Sequence, residues 1–146
     1  MKRKTPQPEL PDLAQKLRRG ARKLTGPRQA ILDVLRCQHR PLSIKDIFAA
    51  LPADDCDLAT VYRSMHLLET LHMVKRFDFG DAVARFELLT EGDDGHHHHL
   101  VCTNCSDVVE LEECFPDTLE KNIASRSGFK HVTHKLEFFG LCPRCQ

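Results

Sequence analysis

Cys102-Thr103-Asn104-Cys105 and Cys142-Pro143-Arg144-Cys145 place two thiols on each of two tight turns. Two residues between cysteines let both sulfurs reach one ion, and two such pairs supply the four thiolates of a tetrahedral structural zinc site. The intervening stretch, residues 106–141, is too long for a zinc ribbon, so the site would tie the end of the chain back to the start of a small fold. Disulfides are the competing reading. The chain has seven cysteines, an odd number, and no visible secretory leader, which points to a reducing, cytoplasmic setting. Directly before the first pair stand His96, His97, His98 and His99. Imidazole suits zinc, iron, copper, nickel and cobalt. The run continues into Leu100-Val101 and alternating residues after Cys105, which predicts an extended segment. In a strand, successive side chains face opposite ways. His97 and His99 would share one face, His96 and His98 the other, and one ribbon could feed two separate sites. A solvated, tag-like loop is the plainer alternative, but the run is internal and abuts a cysteine pair.

The elements that carry these residues are legible by pattern. The formal net charge is zero, yet residues 1–36 hold ten Lys or Arg against three acids, while residues 95–146 hold five against seven. A basic front and an acidic, ligand-rich back suggest an anionic partner for the front. No apolar run approaches the ~20 residues of a membrane helix. Leu13 to Leu24 predicts a short basic helix with Arg19 on its charged face, placed to lie along a nucleic-acid backbone or reach a minor groove. Thr25-Gly26-Pro27 predicts the start of a second helix with Ile31, Leu32, Val34 and Leu35 inward. Ser43 would cap a third, with Ile44, Ile47, Phe48 and Leu51 inward. Asp57 would cap a fourth, Leu58 to Leu71, with Val61, Met65 and Leu68 in the core and Thr60, Tyr62, Arg63 and His66 outside. Met73 to Phe79 and Ala82 to Leu88, joined by Gly80-Asp81, predict a hairpin.

Helices followed by a two-stranded hairpin is the order of a winged helix-turn-helix, whose last helix enters the major groove. Tyr62 and Arg63 could then meet base edges and phosphate. On pattern alone, Tyr62 packed in a helical core is an equal reading. Beyond the histidines, Val108 to Leu111 continues a strand. Phe115 to Ser127 predicts an amphipathic helix with Leu119 and Ile123 inward and Gly128 ending it, and Val132 to Phe139 a further strand that carries His134. The fold class expected is α+β. Residues 1–89 would form the DNA-binding domain, 90–95 a hinge and 96–146 the metal-binding domain.

Thr25-Gly26-Pro27-Arg28, Leu58-Ala59-Thr60-Val61-Tyr62-Arg63, Phe86-Glu87-Leu88, His96 through Cys105 and the final cysteine pair occur in the same order in the ferric uptake regulator family, which residues 13–146 resemble. The resemblance implies a metal-responsive repressor: an N-terminal winged helix, a C-terminal α/β dimerisation domain, and a homodimer on a palindromic, A·T-rich double-stranded operator. It implies structural zinc at Cys102, Cys105, Cys142 and Cys145. It implies a regulatory site of Glu87, His97, His99 and Glu110, and an additional site of His96, His98, Asp117 and His134. Tyr62 and Arg63 match its DNA contacts, and Thr60 on the same outer face and Arg19 on the basic first helix are further candidates.

Two positions depart from the pattern. Iron sensors of the family carry a histidine two residues before the Ser or Thr that opens the third helix; here Pro41 stands there, and the nearest histidine is His39. Zinc sensors often place a cysteine just after the second wing strand, where this chain has Leu89. A carboxylate and imidazole set favours iron(II) or manganese(II) over a thiolate-assisted zinc site. Peroxide sensors favour aspartate where Glu87 and Glu110 stand. The four unbroken histidines are common in zinc-uptake regulators, which is the nearest alternative. A zinc metalloenzyme or a redox-switched zinc-thiol protein is a more distant one; no His-Glu-x-x-His helix is present to support the enzyme. Cys37, Cys56, Cys114, His66, His72 and His131 are read as structural or incidental.

Overall fold

The computed structural model describes residues 8–38, 40–54, 56–90, 97–111 and 117–146, with the backbone alone for Asp117. His39, His96, Cys114 and all of the expected hinge except Thr90 lie outside the described residues. The chain divides into two compact units, Met1–Gly95 and His96–Gln146.

The first unit runs α1 (Leu10–Arg19), α2 (Gly26–Cys37), β1 (Leu42–Ser43), α3 (Ile44–Ala50), α4 (Leu58–Thr70), β2 (Val74–Asp78) and β3 (Ala84–Leu88). Helix α1 starts three residues earlier than the pattern predicts and stops well before Leu24. Pro11 sits in its first turn, where a missing N–H costs no hydrogen bond. Asp12 lies in the first turn and Lys16, Arg18 and Arg19 in the last, each at the pole of the helix dipole that favours its charge. Gly20 follows the helix, and a Cβ there would lie 2.6 Å from Leu71 Cδ2, so a larger residue would require that side chain to shift. Ser43 caps α3 through a reciprocal box, accepting from the Asp46 amide at 3.1 Å while Asp46 Oδ2 accepts from the Ser43 amide at 3.0 Å. Asp57 caps α4 through Thr60.

The core joins Leu13 and Leu17 of α1, Ile31, Leu32 and Leu35 of α2, Ile47 of α3, and Val61, Met65 and Leu68 of α4 with Phe86 and Leu88 of β3. Phe48 is an exception, largely exposed rather than inward. Strand β1 was not expected, because two residues carry no pattern. It pairs antiparallel with β3, Leu42 opposite Phe86, and turns the hairpin into a sheet of order β1-β3-β2. This is a winged helix.

The second unit contains β4 (His98–Cys102), β5 (Val108–Leu111), α5 (Asp117–Ser127) and β6 (Glu137–Gly140). Strand β4 is central, antiparallel to β5 and parallel to β6. Strand β6 is only the end of the predicted strand: residues 132–136 are not strand, so His134 is delivered by a loop. Gly128, with φ +75°, follows α5 in the left-handed region. Leu119 and Ile123 are not inward but 52% and 47% exposed. The amphipathic pattern is real, but its apolar side is not covered by this chain.

Removing the α3 cap tests the first unit's local logic. Ser43→Ala should cost about 1–2 kcal/mol, seen as a lower urea midpoint at unchanged slope. An unchanged midpoint would mean that the box contributes nothing to stability.

Candidate metal centres and nucleic-acid interface

Strand pairing builds the sulfur site. Cys102 ends β4 and pairs with Gly140 at the end of β6, so both strands run out at the same level into their cysteine turns. The Thr103 amide donates to the Gly140 carbonyl at 2.9 Å, and the Cys142 amide points at Cys102 Sγ at 3.4 Å. Ser106, with φ 60°, turns the first knuckle. Arg144 of the second knuckle reaches Asp107 of the first at 2.7 Å. All four sulfurs lie within 4.8 Å of one another, and Cys105 and Cys142 are 3.7 Å apart. Four thiolates around one zinc at about 2.3 Å would stand about 3.8 Å apart.

The acidities match that geometry. The Cys105, Cys142 and Asn104 amides hold the Cys102 thiol down to about 6. Cys105 is pushed up to about 11: the Asp107 amide acts to lower it, but the surrounding sulfurs and desolvation outweigh that amide. Four clustered sulfurs cannot all ionise without a cation among them, so the donor set fits a divalent soft-to-borderline metal.

The alternation of β4 separates the histidines. The rings of His97 and His99 lie edge to face with centroids 5.0 Å apart, while His98 turns to the opposite face. His99 is fully buried. Its neighbours across the sheet are Glu110 on β5 and Glu137 on β6, and directly opposed residues share a face. One row therefore runs carboxylate, imidazole, carboxylate, with His99 Nδ1 3.9 Å from a Glu137 oxygen. Sequence reading did not single out Glu137, because its place in the row depends on a parallel register that no local pattern gives. Glu87 lies in the first unit, on β3 opposite Lys75.

On the other face, His98 Nε2 and His134 Nε2 are 3.1 Å apart. His98 Nδ1 lies 3.2 Å from the Leu136 carbonyl. A carbonyl oxygen only accepts, so Nδ1 of His98 carries a proton, and in the neutral ring the lone pair is then on Nε2, the nitrogen that faces His134. His134 Nδ1 is held at 2.6 Å by Glu120, a second residue the sequence did not reveal. The only signal for it was its place one turn after Asp117 on α5. Two imidazoles on one zinc at about 2.0–2.1 Å would stand about 3.3 Å apart, so this pair needs little movement to share an ion. Asp117 opens α5, but its side chain, like His96, lies outside the described residues.

In the first unit, α4 turns Val61, Met65 and Leu68 inward and leaves the Tyr62 ring 53% exposed, so Tyr62 is not a core residue. Arg63 is exposed beside it and donates to Thr60 Oγ1 at 3.0 Å. The bond from Thr60 holds the Asp57 carboxyl below the ordinary range. Thr60, Tyr62 and Arg63 thus occupy the N-terminal turns of α4, the part of a recognition helix that meets base edges. Arg19 is exposed at the end of α1. The wing loop is stiffened by Arg85, which makes two bonds to Asp81, at 3.0 and 2.7 Å, and lies over the Phe79 ring.

A winged helix with an exposed tyrosine-arginine pair, followed by a unit with a four-sulfur site and paired histidines, defines a metal-responsive DNA-binding regulator. Residues 19–139 match the model of the ferric uptake regulator family. The chain is 38% identical over 136 residues to the ferric uptake regulation protein of Bacillus subtilis (strain 168), covering 91% of each chain. It superposes on the crystal structure of the Vibrio cholerae ferric uptake regulator with a TM-score of 0.73 at 33% identity, covering 90% of this chain and 100% of that one. For the ferric uptake regulator of Pseudomonas aeruginosa with manganese the TM-score is 0.64 at 32% identity, covering 88% and 96%. The chain belongs to the ferric uptake regulator family. It is a transcriptional regulator of the metal-responsive kind, of a family whose members bind DNA and are dimers.

Structural zinc has a direct test. Cys142→Ser should reduce tightly bound zinc from one per chain to near none and lower Tm by more than about 10 °C, since such sites supply much of a small unit's folding energy. Retained zinc by atomic emission, or an unmoved Tm, would contradict it.

Proposed function

We propose that this chain is a homodimeric repressor that binds an A·T-rich palindromic operator when iron(II) or manganese(II) occupies a site built from Glu87, His97, His99 and Glu110. The observation that carries the choice of metal is the row Glu110–His99–Glu137. Carboxylate oxygens beside imidazole, with no thiolate among them, favour iron(II) and manganese(II). The relative crystallised with manganese is in keeping with this. A zinc-uptake regulator is the second reading, since imidazole also suits zinc and histidines stand at four successive positions of this chain.

A divalent cation here supplies the positive charge that lets carboxylates and imidazoles converge. Glu87 belongs to the wing strand, and the other ligands to the second unit. Bringing these groups to one ion would narrow the range of angles between the units, and in a dimer that angle sets the spacing of the two α4 helices against half-sites about a helical turn or multiples apart. Metal binding is then a shift of population toward the DNA-competent arrangement. Without it, the acidic groups repel and the angle is free. In this reading Tyr62 meets bases, Arg63 and Thr60 hold base and phosphate, and Arg19 lies on the backbone.

Dimerisation is supported by the uncovered apolar side chains of the second unit, among them Leu119, Ile123, Val109 and Phe139. A cytoplasmic setting is supported by the reduced thiols that the sulfur site requires. No described helix is long and apolar enough to cross a membrane.

Glu87→Ala and His97→Ala should each weaken manganese-dependent operator binding at least tenfold by fluorescence anisotropy, with circular dichroism of the metal-free protein unchanged. Operator binding at parental metal concentrations in both variants would end this reading.

A further inference from the structure

The second histidine site holds an acidic residue beyond the ligand set that the family resemblance implies. We propose that Glu120 is its positioning carboxylate, fixing the His134 ring through Nδ1 so that Nε2 is presented, together with Nε2 of His98, to a divalent cation. The inference rests on the reading of His98 and His134 as ligands of one ion.

Three observations carry it. The Glu120 oxygen lies 2.6 Å from His134 Nδ1, at charge-assisted hydrogen-bond length, with side chains only 24% and 18% exposed. The carboxylate approaches the ring by the nitrogen away from His98, whereas His134 Nε2 faces His98 Nε2 at 3.1 Å. Glu120 is thus placed to act through the ring. The arrangement is also matched on the partner ring, where the Leu136 carbonyl occupies Nδ1 of His98. Each imidazole therefore has one nitrogen tied down by an oxygen and the other directed at the shared point. Metal-bound histidines are oriented by such outer oxygens, whose removal weakens metal affinity about 10–100-fold.

The placement follows from α5. Glu120 lies one turn into α5, which brings it to the His134 that the following loop delivers. A glutamine at 120 keeps the shape and one acceptor oxygen but not the charge.

The test uses the full-length, zinc-replete dimer in a His97→Ala background, which disables the other histidine site. Cobalt(II) is titrated anaerobically against a competing chelator while its visible absorption bands are followed. E120Q should bind cobalt(II) about 10–100-fold more weakly with a shifted band, E120D should recover part of the loss, and Tm of the metal-free protein should not move. Parental affinity and spectrum in E120Q would overturn the proposal. So would a metal-free Tm that falls in step with the affinity, which would make Glu120 a purely structural residue. Complete loss of the band in E120Q, equal to that in H134A, would make Glu120 a ligand and overturn the positioning role. H134A separates the ligand role of His134 from the positioning role of Glu120: if it leaves cobalt(II) binding untouched, the site itself is misassigned.

Discussion

A strand turns its side chains over every second residue, and the second unit depends on that constraint at β4. On a helix, consecutive imidazoles would fan around the axis and share no face. Along the extended chain at β4 the three described ones are dealt to opposite faces: His97 and His99 to one, His98 to the other. Each face then finds its own oxygens. The first has Glu110 and Glu137 from the flanking strands; the second has Glu120 and the Leu136 carbonyl from α5 and the loop that follows. Two chemically different clusters of side chains arise on one ribbon without any extra fold.

The register of that ribbon is fixed at its far end. Cys102 and Gly140 pair where β4 and β6 stop, and the two cysteine turns close over the gap. A slip of one residue would move His99 to the wrong face and also carry Cys102 out of reach of Cys142. The sulfur site and the histidine sites are therefore not independent features. The amides that lower Cys102 and the sulfurs that raise Cys105 are consequences of the same closure. The exposed apolar side of α5 shows that one copy of this unit leaves hydrophobic surface uncovered. Its stability leans on the sulfur site and, in a family of dimers, on a second copy.

Much of this was legible in the sequence where the deciding physics is local. Caps at Ser43 and Asp57, the 3.6-residue repeat of Val61, Met65 and Leu68, the wing hairpin and the two cysteine turns are each set by a few neighbouring residues. The outward face of α4 followed from the inward one, but pattern alone left Tyr62 open between surface and core, and only the structure shows it exposed. What escaped is long-range. β1 exists only because β3 is there to pair with it. β6 is shorter than its alternation suggests because only its last residues lie beside β4. Glu137 and Glu120 become partners of His99 and His134 through register and a loop path that spacing does not encode. Leu119 and Ile123 follow a true amphipathic pattern, but pattern cannot say whether the covering surface belongs to the same chain.

If one strand serves two histidine sites separately, their ions can be removed one at a time. Native mass spectrometry of the metal-loaded dimer counts ions per chain directly. With His97→Ala and His98→Ala compared singly and together, each single variant should lose one ion per chain, the double variant should lose both, and the sulfur-bound zinc should remain throughout. Loss of both ions in either single variant, or no further loss in the double variant, would mean that the histidines form one site and that the alternation of β4 does not divide them.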